Sequence, residues 1–414
     1  MVADQNDAKQ NDTDRNDIEQ NDIDQNYVDQ NNIDQKYMRM ALELAKKGTG
    51  RVSPNPLVGA VLVKNGEVIG SGYHERYGEA HAERNALASC TESPEGATLY
   101  VTLEPCCHYG KQPPCTLAVL EAKIARVVVG SGDPNPLVAG KGIEILRNHG
   151  VQVTEHVLEQ ECRELNRVFF WYIRTGLPYV VMKYAMTLDG KIATATGASK
   201  WITGEQARAH VQGQRNRYTA IMAGVGTVLA DDPLLTCRIA GGRNPIRIVC
   251  DTHLRTPLTS KIVETADRES APVILATCCQ DAERKTLYEQ SGCQVLVTEE
   301  RDGHLDLNDL MQKLGKMKID SILLEGGGTL NWSVLNAGLV NHVQAYLAPK
   351  LFGGRKAKTP IEGEGVRTPK QAVRLRADTM TVTRLGEDFL IEGEIEHGED
   401  NDSGTDEDDR ANCG

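Results

Sequence analysis

Two consecutive α/β domains are the architecture this sequence predicts. The length of 414 residues exceeds one ordinary domain. From about residue 37 to 396, short apolar runs of strand length alternate with helix-spaced segments and turn residues. Thr175-Gly176-Leu177-Pro178 then punctuates that alternation near its middle. The expected boundaries are an arm over 1–35, a first domain over 36–178, a second over 179–396 and a tail over 397–414.

Residues 5–34 repeat with a period of five: QNDAK, QNDTD, RNDIE, QNDID, QNYVD, QNNID. That period matches neither helix nor strand, and so polar a segment buries too little to offset its ordering entropy, so a disordered arm is expected. The acidic tail reads the same way. These ends carry the net charge of −12, with −8 in residues 1–35 and −7 in 396–414, leaving about +3 for the body. A mildly basic body suits small phosphorylated molecules. Without Lys/Arg clusters interleaved with aromatics, nucleic acid is not an expected partner. No apolar run approaches the roughly 18 residues of a membrane span, and the polar start predicts neither a secretory leader nor a transit peptide. Eleven cysteines, two pairs of them adjacent, do not form a disulfide framework and point to a reducing cytoplasm.

In the first domain, order is expected near Tyr37. Met38, Ala41, Leu42, Leu44 and Ala45 have helical spacing, and Gly48 stops the helix. Ser53-Pro54-Asn55-Pro56 forms a rigid loop before the strand Ala60–Val63. Asn65-Gly66 is a hairpin signal leading into Val68–Gly70. A helix over Arg84–Ser89, a strand over Thr98–Leu103, a helix over Leu117–Ala122 and a strand over Ala125–Val129 follow. A helix over Lys141–His149, a short strand at Val151–Val153 and a single helix over Gln160–Tyr172 complete the domain.

His81-Ala82-Glu83, Glu104-Pro105-Cys106 and Pro113-Pro114-Cys115 carry the chemistry here. One imidazole and two thiols are three zinc ligands, and a catalytic zinc needs three plus an open position for water. The metal brings that water's pKa towards neutrality. Glu83, two positions past the imidazole, is then the proton shuttle. His-x-Glu with Pro-Cys marks zinc deaminases of amino-pyrimidine or purine rings. The second thiol is displaced from the commoner Cys-x-x-Cys: position 109 is Tyr109, and Cys107, adjacent to Cys106, is a poor co-ligand. Cys115 stands before a helical segment, where a thiolate is favoured.

The second domain alternates again. Tyr179–Met186, Ala220–Gly224, Ile246–Cys250, Val273–Ala276 and Val295–Val297 are strands. Ser321–Glu325 runs into Gly326-Gly327-Gly328-Thr329-Leu330 and a helix to about Asn336. A strand, a glycine turn and a helix cradle phosphates, because exposed backbone N–H groups and the helix dipole favour an anion. The dinucleotide fingerprint Gly-x-Gly-x-x-Gly is not met, failing at Leu330-Asn331.

Cys106-Cys-His-Tyr-Gly-Lys-Gln-Pro-Pro-Cys115, Pro54-Asn55-Pro56 and Asp133-Pro-Asn-Pro136 together resemble the bifunctional deaminase–reductase family of riboflavin biosynthesis. Lys183, Ser199-Lys-Trp-Ile202, Arg215, Leu229-Ala-Asp-Asp-Pro233 and Glu325-Gly-Gly-Gly328 resemble its reductase half, in the expected order. The resemblance implies a cytidine-deaminase-like three-layer domain followed by a dihydrofolate-reductase-like one. It implies zinc on His81, Cys106 and Cys115, Glu83 as proton donor, and Asn55, His74, Lys111, Asp133 and Asn135 near the substrate. In the second half it implies NADPH near Ala185, Trp201, Thr227, Asp231, Thr252, Gly327, Gly328, Thr329, Leu330, Asn331, Trp332 and Ser333. Substrate is implied near Ser199, Arg215, Leu235, Arg238 and Glu325, with the arginines clamping the ribose phosphate. Lys183, Asp231 and Glu325 are candidates to protonate or position the opening ribose; structural ion pairs are the alternative for each. The expected reactions are deamination of a phosphoribosylaminopyrimidine and then reduction of its ribose to ribityl, in a homo-oligomer joined through the second domain. Deamination of a nucleoside or tRNA base is a rival reading, and a regulatory protein on an enzyme-like scaffold is another.

Overall fold

The computed structural model describes residues 29–396, so the readings of residues 1–28 and 397–414 lie outside the described residues. The chain divides between Arg174 and Thr175 into two compact units.

In the first unit, helix α1 covers residues 29–46. Strands β1 (Gly59–Lys64), β2 (Glu67–Tyr73), β3 (Thr98–Leu103), β4 (Arg126–Ser131) and β5 (Gln152–Thr154) form a sheet of order β2-β1-β3-β4-β5. β1 is antiparallel to β2 and β3, whereas β3, β4 and β5 are parallel. Both faces are buried. Leu62, Leu99, Val101, Val127 and Val129 share one core with Ala86, Val119 and Leu146, which lie on helices Ala82–Ala88, Cys115–Glu121 and Lys141–Asn148. Val61, Val63, Tyr100 and Val128 share the other core with Met38, Leu42 and Cys162. This alternation along each strand makes three layers. Gly59 is needed for the close approach of α1, since a Cβ there would lie 1.9 Å from the Ala41 carbonyl oxygen.

Two local expectations are corrected. α1 is already helical at residue 29, not from Tyr37, because Asp34 is not a solvated repeat residue. It is 3% exposed, Arg126 donates to both its oxygens at 2.9 and 2.6 Å, and the Tyr100 hydroxyl donates at 2.9 Å. The segment expected as one helix over Gln160–Tyr172 is two, Glu159–Leu165 and Arg167–Thr175. Between them lies Asn166. Its carboxamide accepts from Leu57 N at 2.7 Å and donates to Leu57 O at 2.9 Å, so a distant backbone competes with the helix.

In the second unit, β6 (Tyr179–Thr187), β7 (Ala220–Gly224), β8 (Ile246–Cys250), β9 (Val273–Thr277) and β10 (Gln294–Val297) come first. A two-residue pair follows, β11 (Glu300–Arg301) with β12 (His304–Leu305). Then come β13 (Ser321–Leu324), β14 (His342–Ala348), β15 (Thr381–Leu385) and β16 (Asp388–Glu394). The nine-stranded sheet has the order β10-β9-β8-β7-β13-β6-β14-β16-β15. It is parallel from β10 to β14 and antiparallel at β16 and β15. Val180, Met222, Ile248, Ile274 and Leu324 pack with Leu310, Leu314 and Val334 on one face, and Ile221, Val249 and Leu275 with Val228, Ile262 and Tyr288 on the other. Parallel strands covered on both faces gather ligand-binding loops at their carboxyl ends.

Candidate active sites

Antiparallel pairing brings the first site together. The start of β1 lies beside the ends of β2 and β3, so the Asn55 loop, His74 and the Glu104–Cys106 turn share one edge of the sheet with Asp133 after β4. His81 is the N-cap of the helix Ala82–Ala88, and Cys115 opens the helix Cys115–Glu121. The ligand atoms of His81, Cys106 and Cys115 all lie within 4.8 Å of one another. His81 Nδ1 faces the sulfurs, at 3.5 Å from Cys106 and 3.4 Å from Cys115. The Cys115 amide also donates to Cys106 Sγ at 3.4 Å.

Electrostatics fit a cation. Hydrogen bonding from the Cys115 thiol, then from His81, draws Cys106 down to about 4, and the Cys106 thiolate raises His81. Protons thus occupy a cluster whose donors, one nitrogen and two soft sulfurs, match zinc's preference. Glu83 is 3% exposed, and burial pushes its carboxyl up to about 6.

A cavity of about 290 Å³ opens over this cluster, lined by Asn55, His74, His81, Glu83, Cys106, Lys111, Asp133 and Asn135. His74 Nδ1 donates to the Ala80 carbonyl at 3.0 Å, leaving Nε2 to accept from Asn55 Nδ2 at 3.1 Å. Burial lowers His74, keeping it neutral. Asn55 thus spends an N–H on His74 and keeps its carbonyl oxygen as an acceptor in the cavity lining. Lys111 Nζ sits 4.0 Å from the centroid of the Tyr77 ring. Asp133 and Asn135 also build their turn: Asp133 accepts from Asn135 N at 2.8 Å, and Asn135 from Leu137 N at 3.0 Å. Burial raises Asp133 to about 6.

Sequence reasoning missed part of this wall. His108 lines the cavity with Nδ1 buried and without a hydrogen-bond partner. Phe169, Tyr172 and Ile173 supply an apolar side, which their i, i+3, i+4 spacing could have signalled. Glu104 is a hub: it accepts backbone N–H bonds from Asp133, Gly140, Gly142 and Ile143 at 2.9–3.3 Å, tying the end of β3 to the next helix.

The second site is a cleft of about 880 Å³ along the carboxyl ends of the parallel strands. Ala185, Ser199, Trp201, Thr227, Asp231, Leu235, Arg238 and Thr252 all line it, as do Lys183, Arg215, Glu325, the stretch Gly327–Asn331 and Ser333. Trp332 does not; its indole packs where a side chain on Gly363 would stand, 2.2 Å from that Cβ position. Asn331 is fully buried and donates to the Pro360 carbonyl at 2.8 Å, so it also holds the neighbouring loop.

Two helices, Val225–Asp231 and Gly328–Asn336, begin at this cleft, and no side chain caps either start. Their amide dipoles suit a pyrophosphate. Gly328 has no room for a Cβ, which would meet Glu362 Cγ at 2.5 Å and the Thr359 carbonyl at 2.7 Å.

Arg215 differs from the expected phosphate clamp. It donates to Glu325 Oε1 at 2.8 Å and Oε2 at 3.0 Å, and to the Thr236 carbonyl at 3.1 Å. Lys183 Nζ is 3.4 Å from Glu325 Oε2 and 5.7 Å from the Tyr346 ring centroid. Burial would raise Glu325, but the two cations outweigh it and hold the carboxyl down at about 2. Ser199 Oγ donates to Asp231 Oδ1 at 3.5 Å.

The sequence pattern described as the RibD C-terminal domain matches residues 178–391, and that of the cytidine and deoxycytidylate deaminase zinc-binding region matches 31–131. The riboflavin biosynthesis protein RibD of Actinobacillus pleuropneumoniae is 54% identical over 356 residues, covering 86% of this chain and 94% of the relative. That of Aquifex aeolicus is 44% identical over 356 residues, covering 86% and 96%. Among solved structures, the diaminohydroxyphosphoribosylaminopyrimidine deaminase/5-amino-6-(5-phosphoribosylamino)uracil reductase of Thermotoga maritima has a TM-score of 0.78 at 38% identity, over 88% of this chain and 99% of that one. Acinetobacter baumannii RibD reaches 0.79 at 38% identity, over 89% and 100%. With both patterns in order and both sites assembled, the chain belongs to the RibD family of bifunctional riboflavin-biosynthesis enzymes, a zinc-binding deaminase domain followed by a reductase domain that uses NADPH.

Proposed function

We propose that the first domain hydrolytically deaminates 2,5-diamino-6-(5-phosphoribosylamino)pyrimidin-4-one and that the second reduces the ribose of the product to ribityl. The cluster of His81, Cys106 and Cys115, with His81, Cys106 and the buried Glu83 lining one cavity, carries this reading. His81, Cys106 and Cys115 would hold zinc, which would supply the Lewis acidity that makes a water nucleophilic near neutral pH. Glu83, desolvated and free of the metal set, takes the proton from that water and passes it to the amino group that leaves as ammonia. Asn55, oriented by neutral His74, accepts from a ring N–H, and Lys111 draws in the phosphate.

In the second domain Thr227, Thr252 and the stretch Gly327–Asn331 would hold NADPH, which would supply the hydride. Glu325, fixed as an anion, positions Lys183 and Arg215, and Lys183 delivers the proton to the ribose oxygen as the aldehyde carbon is reduced. Arg238, Ser199 and Leu235 form the substrate side of the cleft, and Asp231 holds the Ser199 hydroxyl.

The enzyme is proposed to act in the cytoplasm as a homo-oligomer without nucleic acid. Its free cysteines, from Cys90 to Cys293, support a reducing compartment, and no helix among the described residues is long and apolar enough to cross a membrane. The test is an assay of the purified chain with the diaminopyrimidine ribotide, following ammonia and NADPH oxidation separately. Ammonia first and NADPH loss second is expected; cytidine deamination without either would overturn the reading.

A further inference from the structure

We propose that Arg255 grips the 2′-phosphate of the dinucleotide and is the residue by which the reductase cleft prefers NADPH to NADH. This rests on the reading of that cleft as a nicotinamide-dinucleotide site. The sheet order lays out the ligand. Lys183 on β6 and Glu325 after β13 mark the reaction centre, and the glycine turn after β13 and the helix after β7 mark the pyrophosphate. The next parallel strand outward is β8, three strand spacings or about 14 Å from β6. Thr252 and Arg255 follow β8 and line the cleft there, with His304 and Leu305 beside them.

The loop that presents Arg255 is locked from behind. Asp251, fully buried, accepts from Thr256 N at 2.7 Å and Thr256 Oγ1 at 2.8 Å. The Tyr288 hydroxyl donates to the Leu254 and Thr256 carbonyls at 3.1 and 2.5 Å, and Cys278 N to the Thr252 carbonyl at 3.1 Å. Arg255 itself is exposed, and among the described residues no acid or carbonyl engages its guanidinium. Other cations of the cleft are committed or misplaced. Lys183 and Arg215 neutralise Glu325. Lys261 is 3.3 Å from Asp232, and Lys200 adds to the charge around that carboxylate. Arg238 adjoins the Arg215 end, and Lys358 is joined through its backbone to Ile192 beyond β6. A planar guanidinium on a rigid loop is suited to bidentate binding of a phosphate dianion.

The experiment is calorimetric binding of 2′,5′-ADP and 5′-ADP to the full chain and to its Arg255→Gln and Arg255→Lys variants, with KM for NADPH and NADH measured in parallel. Arg255→Gln should weaken 2′,5′-ADP by roughly tenfold to a hundredfold while 5′-ADP changes by less than twofold, with Arg255→Lys between. KM for NADPH should rise by a similar factor with kcat retained. Unchanged thermal midpoints would show that the variants are folded. If Arg255→Gln keeps the preference of the unaltered chain for 2′,5′-ADP, the assignment to Arg255 is wrong although the dinucleotide site stands. If the unaltered chain binds neither nucleotide nor NADPH, the dinucleotide reading itself fails, and this inference with it.

Discussion

Glu83 and Glu325 are both buried carboxyls beside a cavity, and the molecule puts them in opposite states. Glu83 is lifted to about 6, first by desolvation and then by the neighbouring Cys106 thiolate, against an opposing pull from His81. Glu325 suffers the same desolvation, but Arg215 and Lys183 bring it to about 2. Burial sets the size of an electrostatic effect, and the partners set its sign. One domain keeps a carboxyl able to trade protons. The other spends a carboxyl to hold two cations in place.

The most severe way to break the first site is to remove a zinc ligand. Cys115→Ser should leave the purified protein almost without zinc and abolish ammonia release, while reduction of supplied deaminated intermediate persists. Metal analysis beside both assays checks it, and parallel loss of the two activities would count against separate sites. Next is Glu83→Gln, which keeps shape and removes the proton carrier: zinc stays bound and ammonia release falls by roughly a thousandfold. A loss under tenfold would move the proton transfer to another group, with Asp133 the first to test.

The second site should fail differently. Glu325→Gln leaves Arg215 and Lys183 without their counter-charge in a buried place, so a loss of about 3 kcal/mol or more in stability should accompany loss of reduction. The pH dependence sharpens this. A carboxyl whose folded pKa lies near 2, below its ordinary 4.5, stabilises the fold above about pH 4.5, and that contribution fades as pH falls towards 2. Denaturation curves should therefore show a steeper loss between those values for the native chain than for Glu325→Gln. Equal slopes would mean that the carboxyl is not held as an anion. The smallest effect is expected at Asn166→Ala, which strands the Leu57 N–H and C=O and should cost about 2 kcal/mol, read as a lower unfolding midpoint with zinc content unchanged.

The His/Cys/Cys cluster was legible because metal-binding residue types are few and their partners are near in sequence. His81, Glu83, Cys106 and Cys115 are recognisable by identity, and their helix and turn positions follow from neighbouring residues. Most strands were legible for a similar reason: a run buried on both faces must be apolar throughout. Pairings across long separations were not. Nothing near Asp34 announces Arg126, 92 residues on, so a buried helix turn read as part of a polar repeat. Nothing near Arg215 announces Glu325, 110 residues on, so an arginine committed to a carboxylate read as a phosphate clamp.

By itself the sequence determined the succession of two α/β domains, the His/Cys/Cys cluster compatible with zinc and the glycine turn, because local spacing and residue chemistry specify them. Only the tertiary structure decided which charges meet, that Asn166 breaks a helix and that Trp332 turns away from the cleft. Among the described residues it also leaves the Arg255 guanidinium without an acid or carbonyl partner. Those outcomes depend on burial and on partners brought together by the sheet, where removing water makes each charge and hydrogen bond answer to its new neighbours.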